Sequence, residues 1–276
     1  MSHIAAVRPH RCRYNPSMND IAWYLYVAVI GAGFLAGFIN TLAGSGSLIT
    51  LPMLIFLGLP ANIANGTNRV AIVMQNAVGV GSFRQQKVLD HRGGFMLAIP
   101  AVIGSLLGAR IAIDLDADLM RKTIGLLMVI MLVVILVKPK RWLEGRPGGT
   151  TAKPGVLQYL IFFAIGVYGG FLQAGVGIFL LAGLVLSAGY DVVRGNAVKL
   201  LIVLCFTPFA LVVFILGDQV QWGIGLVLGI GNMLGAWVAS RMAVKRGAAF
   251  VRWLLIAVVV VAAVKFLGIY DYVIQM

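Results

Sequence analysis

The chain has 276 residues, of which 61% are hydrophobic and only 11% charged, with a mean hydropathy of +0.97. No soluble domain of this length needs so much apolar surface, so the composition excludes an ordinary water-soluble fold and leaves a polytopic membrane protein. The net charge of +13 does not argue for nucleic acid, because the basic residues cluster between hydrophobic runs, where they fit loops facing the cytoplasm and anionic lipid heads.

The first 20 residues form a tail with no pattern of its own, and Met18 is an alternative start. The basic stretch Arg8 to Arg13 before an apolar run resembles a signal peptide. That run is too long for an ordinary h-region, so it is expected to stay as a first span. Hydrophobic runs fall at roughly 21–43, 47–58, 66–83, 94–113 and 120–137. They resume at roughly 156–176, 178–188, 197–216, 222–240 and 250–270. About 20 helical residues cross a hydrocarbon core about 30 Å thick. The runs 47–58 and 178–188 are too short for that and are expected to be half-helices. The fold expected is an all-α integral membrane protein of two repeats of about five helical segments. The first repeat spans 21–137 and the second 156–276, joined by a cytoplasmic linker at 138–155 rich in Pro and Gly.

Internal pairing supports the duplication. Gly37-Phe38-Ile39-Asn40 matches Gly170-Phe171-Leu172-Gln173, and Gly44 matches Gly177. Gly58 pairs with Gly189, Asn65 with Asn196, Asn68 with Lys199, and Asn76 with Thr207. Gly104 to Ala109 pairs with Gly231 to Ala236, each a small-xxx-small face suited to helix packing. Loop charge sets the expected orientation. The loops 84–92, 138–153 and 241–252 are basic, whereas Asp114, Asp116, Asp118, Asp218 and Asp271 mark the other side. The repeats are therefore expected to be inverted, with five crossings each and both termini outside. The basic tail argues the other way for the N-terminus.

The stretch Gly33 to Thr50 starts as a helix and then breaks at Asn40-Thr41 and Gly44-Ser45-Gly46-Ser47. Irregular backbone at membrane depth survives only where it is buried in protein or lines a cavity, and such breaks point to transporter sites. A packing seam would explain the glycines, but not the Asn, Thr and Ser beside them. Asn65, Asn68 and Arg69 lie within one helical turn, with Gln75 and Asn76 two turns on from Asn68. Asn196 and Lys199 are also within one turn. A polar stripe on an apolar helix is expected to face the bundle interior. The competing reading of Arg69 and Lys199 is snorkelling from a helix end. Asn62 and Arg194 are expected to be solvated, and Arg110 to reach outward.

No Asp or Glu lies deep in any run, and the histidines are in the tail or a loop. Metal clusters, catalytic triads and carboxylate proton relays have no residues to be built from. Cys12 and Cys205 lie in the tail and a span, so neither a disulfide framework nor a zinc site is indicated. Amide and hydroxyl groups, one or two cations and helix ends suit a small anion. The candidate substrate residues are Asn40, Thr41, Gly44, Ser45, Gly46, Ser47, Asn65, Asn68, Arg69, Gln173, Gly177, Asn196 and Lys199.

These paired stretches, GFLAGFINTLAGSGSLITLPMLIFLGLPANIANGTN and GVYGGFLQAGVGIFLLAGLVLSAGYDVVRGNAVKLL, resemble the sulfite exporter TauE/SafE family of membrane permeases. The likeness extends through GSLLGARIA and GNMLGAWVASRMAVKRG, from about Ile21 onward. It implies a duplicated helical protein of the inner membrane that moves sulfite, thiosulfate or an organosulfonate such as sulfoacetate. Many relatives carry Gly-Gly-Gly where this chain has Gly44-Ser45-Gly46. No cofactor is implied. The partners expected are the anion and membrane lipid, with homodimerisation left open. An anion channel, a polytopic membrane enzyme and an assembly subunit are the alternatives. The missing interior acids and histidines argue against the enzyme, and the twin polar breaks against the subunit.

Overall fold

The computed structural model describes residues 23–137 and 154–266. The expectations placed on the tail, on Met18, on the linker at 138–153 and on the last ten residues lie outside them.

The described residues are helical, without strands. The order is α1 (Trp23–Ala43), α2 (Ser47–Phe56), α3 (Ala61–Gln85), α4 (His91–Ile113), α5 (Ala117–Val137), α6 (Val156–Phe171), α7 (Val176–Leu186), α8 (Val192–Leu216) and α9 (Trp222–Phe266). Helices at 24–43, 91–113, 192–216 and 222–247 are long and apolar enough to cross a membrane. With 10 and 11 residues, α2 and α7 reach only about half the hydrocarbon thickness at about 1.5 Å per residue.

Hydropathy placed two starts too late. The helix expected from 66 begins at Ala61 after Pro60, and the one expected from 197 begins at Val192. The first turns carry Asn62, Asn65, Arg194 and Asn196, so they score as polar although Asn65 and Asn196 are fully buried. Asp191 caps α8 by accepting from the backbone N–H of Val193 (2.9 Å) and Arg194 (3.0 Å). Asp90 caps α4 in the same way through Gly93 N–H at 3.0 Å. The break expected at 241–252 is present but shorter: the first helix of α9 runs through Arg241, Lys245 and Arg246 to Gly247, where φ of 72° and ψ of −173° separate it from a second helix that reaches Phe266. Lys and Arg are good helix formers, so a basic stretch need not be a loop.

Matched positions have matched structure. Lys87 after α3 and Asp218 after α8 both have positive φ, 59° and 56°. The hydrogen bonds from Val88 N–H to Phe83 O and from Gln219 N–H to Phe214 O close the two turns alike. Packing is reciprocal: α1 lies mainly on α9, and α6 on α4. A Cβ on Gly104 would strike the backbone of Phe163 and Val167, and one on Gly231 that of Ile30 and Phe34. The small-residue faces therefore bring backbones into contact. Large apolar side chains remain on the outside: Ile99, Ile103 and Leu107 of α4 and their counterparts Leu226, Ile230 and Leu234 of α9. Such stripes suit lipid, not water.

Candidate functional site

The site grows from two helices that stop inside the bundle. α1 ends at Ala43, and the chain turns through Gly44 in the left-handed region (φ 76°) before α2 begins at Ser47. α6 ends at Phe171, passes through extended Leu172, and turns at Gly175 (φ 71°) into α7. The breaks meet where Gly44 lies against Gly177, close enough that a Cβ on either would strike the other's backbone. The glycines thus serve close approach, while the neighbouring Asn, Ser and Thr supply polar groups.

A helix that ends leaves its last carbonyls without intrahelical donors, and in an apolar interior they need partners. The partners come crosswise from the other half. Lys199 on α8 donates to the carbonyls of Asn40 (2.9 Å) and Thr41 (3.0 Å) at the end of α1. Asn196 donates to Leu42 O at 3.1 Å and accepts from Lys199 Nζ at 2.6 Å. On α3, Arg69 donates to the carbonyls of Gly169 (3.1 Å) and Gly170 (2.6 Å), and Asn65 to Phe171 O (2.9 Å), at the end of α6. Positive charge at a helix C-terminus also offsets the dipole. Arg69 is 0% and Lys199 1% exposed, so neither snorkels. Arg194, in contrast, is exposed beside Asp191, and Arg110 is exposed beside Asp114, each pair at 3.8 Å. Asn62 is half-buried rather than freely solvated.

Other polar groups brace the short helices. Asn68 accepts from Thr50 Oγ1 (2.7 Å) and donates to Ser47 Oγ (3.2 Å), tying α2 to α3. Asn40 donates to Gln75 Oε1 at 3.2 Å. Gln173 accepts from Arg69 Nη1 at 3.0 Å and donates to Thr207 Oγ1 at 3.3 Å.

Between the breaks lies a cavity of about 10 Å³, near the smallest that admits one water. Asn40, Ser47, Gln173, Gly177 and Lys199 are on its wall. Thr41, Gly44, Ser45, Gly46, Asn65, Asn68 and Arg69 are buried in or beside the breaks but off the wall, as is Asn196. Asn76, Val176, Leu200 and Val203 complete the lining. The helical spacing from Asn68 pointed to Asn76, but no sequence signal marked the apolar three.

Among the described residues no Asp or Glu is buried, and no His, Cys, Asp or Glu cluster could hold a metal ion. Two cations are thus balanced by helix-end carbonyls, and the first residues of α2 and α7 reach the cavity through Ser47, Val176 and Gly177. Helix N-termini direct N–H groups outward, so the surroundings favour negative charge.

Helices broken around a buried polar pocket are how membrane transporters build solute sites. Comparison with known proteins leads to the same class. The chain belongs to the family described as sulfite exporter TauE/SafE, which matches residues 29–266. It is 28% identical to the probable membrane transporter protein ORF9 of Sinorhizobium sp, over 91% of this chain and 95% of that protein. It is 29% identical to the probable membrane transporter protein YfcA of Escherichia coli strain K12, over 84% and 86%. A probable membrane transporter protein of Haemophilus influenzae is 28% identical over 84% and 91%. No solved structure matches the chain.

Proposed function

We propose that this transporter carries a small sulfur-containing anion, namely sulfite, thiosulfate or an organosulfonate such as sulfoacetate, across the cytoplasmic membrane as a multi-pass protein. The observation that carries the reading is the ammonium of Lys199 on the cavity wall with no buried carboxylate among the described residues. The family description supports the sulfur chemistry. A pocket of about 10 Å³ is too small for an oxyanion, so the described form is the closed one and substrate enters by widening it. Reciprocal packing of α1 on α9 and α6 on α4 supports inverted repeats that rock about the Gly44–Gly177 contact. The basic loops then face the cytoplasm. The protein moves its substrate without chemical conversion.

The test is binding and uptake with purified, reconstituted protein against sulfite, thiosulfate, sulfoacetate, taurine and sulfate. Saturable binding of at least one of the first three is expected, and binding of none overturns the substrate class. Single cysteines at positions 90 and 219 are expected to label from opposite sides. Labelling from one side removes the inverted arrangement.

A further inference from the structure

Both buried cations cap a broken helix, yet they are placed differently. Lys199 stands on the cavity wall beside Asn40, Ser47 and Gln173. Arg69 lies behind that wall, with its guanidinium 4.4 Å over the Phe214 ring and its terminal nitrogens on Gly169 O, Gly170 O and Gln173 Oε1. Matched positions do not share the pocket: Asn68 corresponds to Lys199 and Arg69 to Leu200, yet Lys199 and Leu200 of α8 both line the cavity and neither Asn68 nor Arg69 of α3 does. Lys199 looks into the pocket, and Arg69 looks past it, at the end of α6.

Arg69 still reaches the pocket through Gln173. A guanidinium has donors and no acceptor, so only the amide oxygen of Gln173 can face it. With Oε1 held by Arg69, Nε2 is turned the other way, where it now meets Thr207. Gln173 is on the cavity wall, and with Oε1 taken by Arg69 only its Nε2 donors are left for an anion. Lys199 has three N–H groups, and its partners include Asn40 O, Thr41 O and Asn196 Oδ1. Two of these acceptors belong to the end of α1, so an anion that draws on Lys199 competes with that cap. The α6 cap asks nothing of Lys199 and stays intact.

We propose that Arg69 is a positioning residue, not a substrate ligand: it fixes the end of α6 and aims Gln173, while Lys199 alone brings full charge to the anion and loosens α1 in doing so. The proposal rests on the anion reading above for the identity of the ligand, but the caps are testable without one.

The experiment is hydrogen–deuterium exchange of the full chain in lipid nanodiscs, read by mass spectrometry, with binding measured alongside. In wild type, sulfite, thiosulfate or sulfoacetate is expected to speed exchange at 40–46 and leave 168–175 unchanged. An anion-induced change at 168–175 that exceeds the one at 40–46 would make Arg69 a ligand and overturn the proposal. Arg69→Met and Gln173→Met are each expected to weaken binding, and the double variant no more than about the worse single one. Additive losses overturn it. If no tested anion binds wild type, the substrate class fails, and the ligand-free arm decides. Arg69→Met must then speed exchange at 168–175 alone, and Lys199→Met at 40–46 alone. If neither pattern appears, the crossed caps have no such role. If Arg69→Met does not fold, the wild-type exchange pattern still decides between ligand and positioning residue.

Discussion

The two breaks occupy matched places in a duplicated chain and are built differently. α1 runs to Ala43, which corresponds to Val176, whereas α6 stops at Phe171, which corresponds to Phe38. The second helix thus ends more than a turn early, and an extended Leu172 follows. Lysine caps the first break, and arginine, stacked on Phe214, caps the second. The chemistry fits the geometry. Lysine is a point charge on a flexible stem that can change partners, while the planar arginine fork holds carbonyls in a fixed arrangement. Matched positions supply the frame, and different cations cap its two breaks.

The largest effect is expected where the breaks touch. Gly44→Ala forces a Cβ into the backbone of Gly177 at a positive φ. Overpacking costs about 1–3 kcal/mol, and the left-handed conformation about 1–2 kcal/mol more. Transport should be lost and the melting temperature lowered. Gly31→Ala, where a Cβ meets nothing within 4 Å, should change neither. Equal behaviour of the two variants would dissolve the contact on which the comparison rests.

Next comes the charge on the wall. Lys199→Gln keeps a donor and loses the ammonium. A charge-assisted hydrogen bond is worth about 1.5–3 kcal/mol, so anion affinity should fall by about 10- to 150-fold. Arg194→Gln, at 64% side-chain exposure, should bind as wild type. Undiminished binding by Lys199→Gln would move the anion site elsewhere.

The paired asparagines sharpen the contrast. Asn196 bonds both Leu42 O and Lys199 Nζ, whereas Asn65 bonds Phe171 O and its own Oδ1 has no partner. Each alanine variant should cost about 1–3 kcal/mol, with Asn196→Ala the more destabilising in thermal melts. The reverse order would show that the second break depends more on its amide than on Arg69.

The smallest effect lies at the surface. Tyr190 donates to Asp90 Oδ2 at 2.6 Å, joining the α7–α8 turn to the N-cap of α4. Burial first, then this bond and the Asp90 charge, raise the phenol above its ordinary pKa, against a smaller opposing effect of Arg194. Stabilisation from a raised phenol is complete below the ordinary tyrosine range and is lost only as pH rises through the raised value. Tyr190→Phe should therefore lower stability by about 0.5–1 kcal/mol near neutral pH, read as a small shift in melting temperature.

Much of this frame is legible in the residues. Short apolar runs give α2 and α7, the matched Gly44 and Gly177 mark where the breaks meet, and the GSLLGA and GNMLGA stretches mark the close crossings, whereas the left-handed turn of the second break falls at Gly175. The helix starts at Ala61 and Val192 were hidden because hydropathy detects helices that face lipid, and these turns bury amides inside the protein. The basic stretch located the break in α9, but the helix persists through Arg241, Lys245 and Arg246 up to Gly247, because charge marks the membrane edge and not the helix end. Asn76 could be reached by counting turns, while Leu200 and Val203 look like any other apolar residue until a wall forms around them.

By itself the sequence determined a helical membrane protein of paired motifs with polar breaks, because apolar length, glycine and charge act locally or at fixed spacing. Only the tertiary structure decided that Arg69 and Lys199 are buried and do not snorkel, that each half caps the broken helix of the other, that Lys199 faces the pocket, and that Arg69 faces away from it. The partners are carbonyls distant in the chain, and every residue carries one. A sequence can show that a donor must find an acceptor, but packing alone selects which.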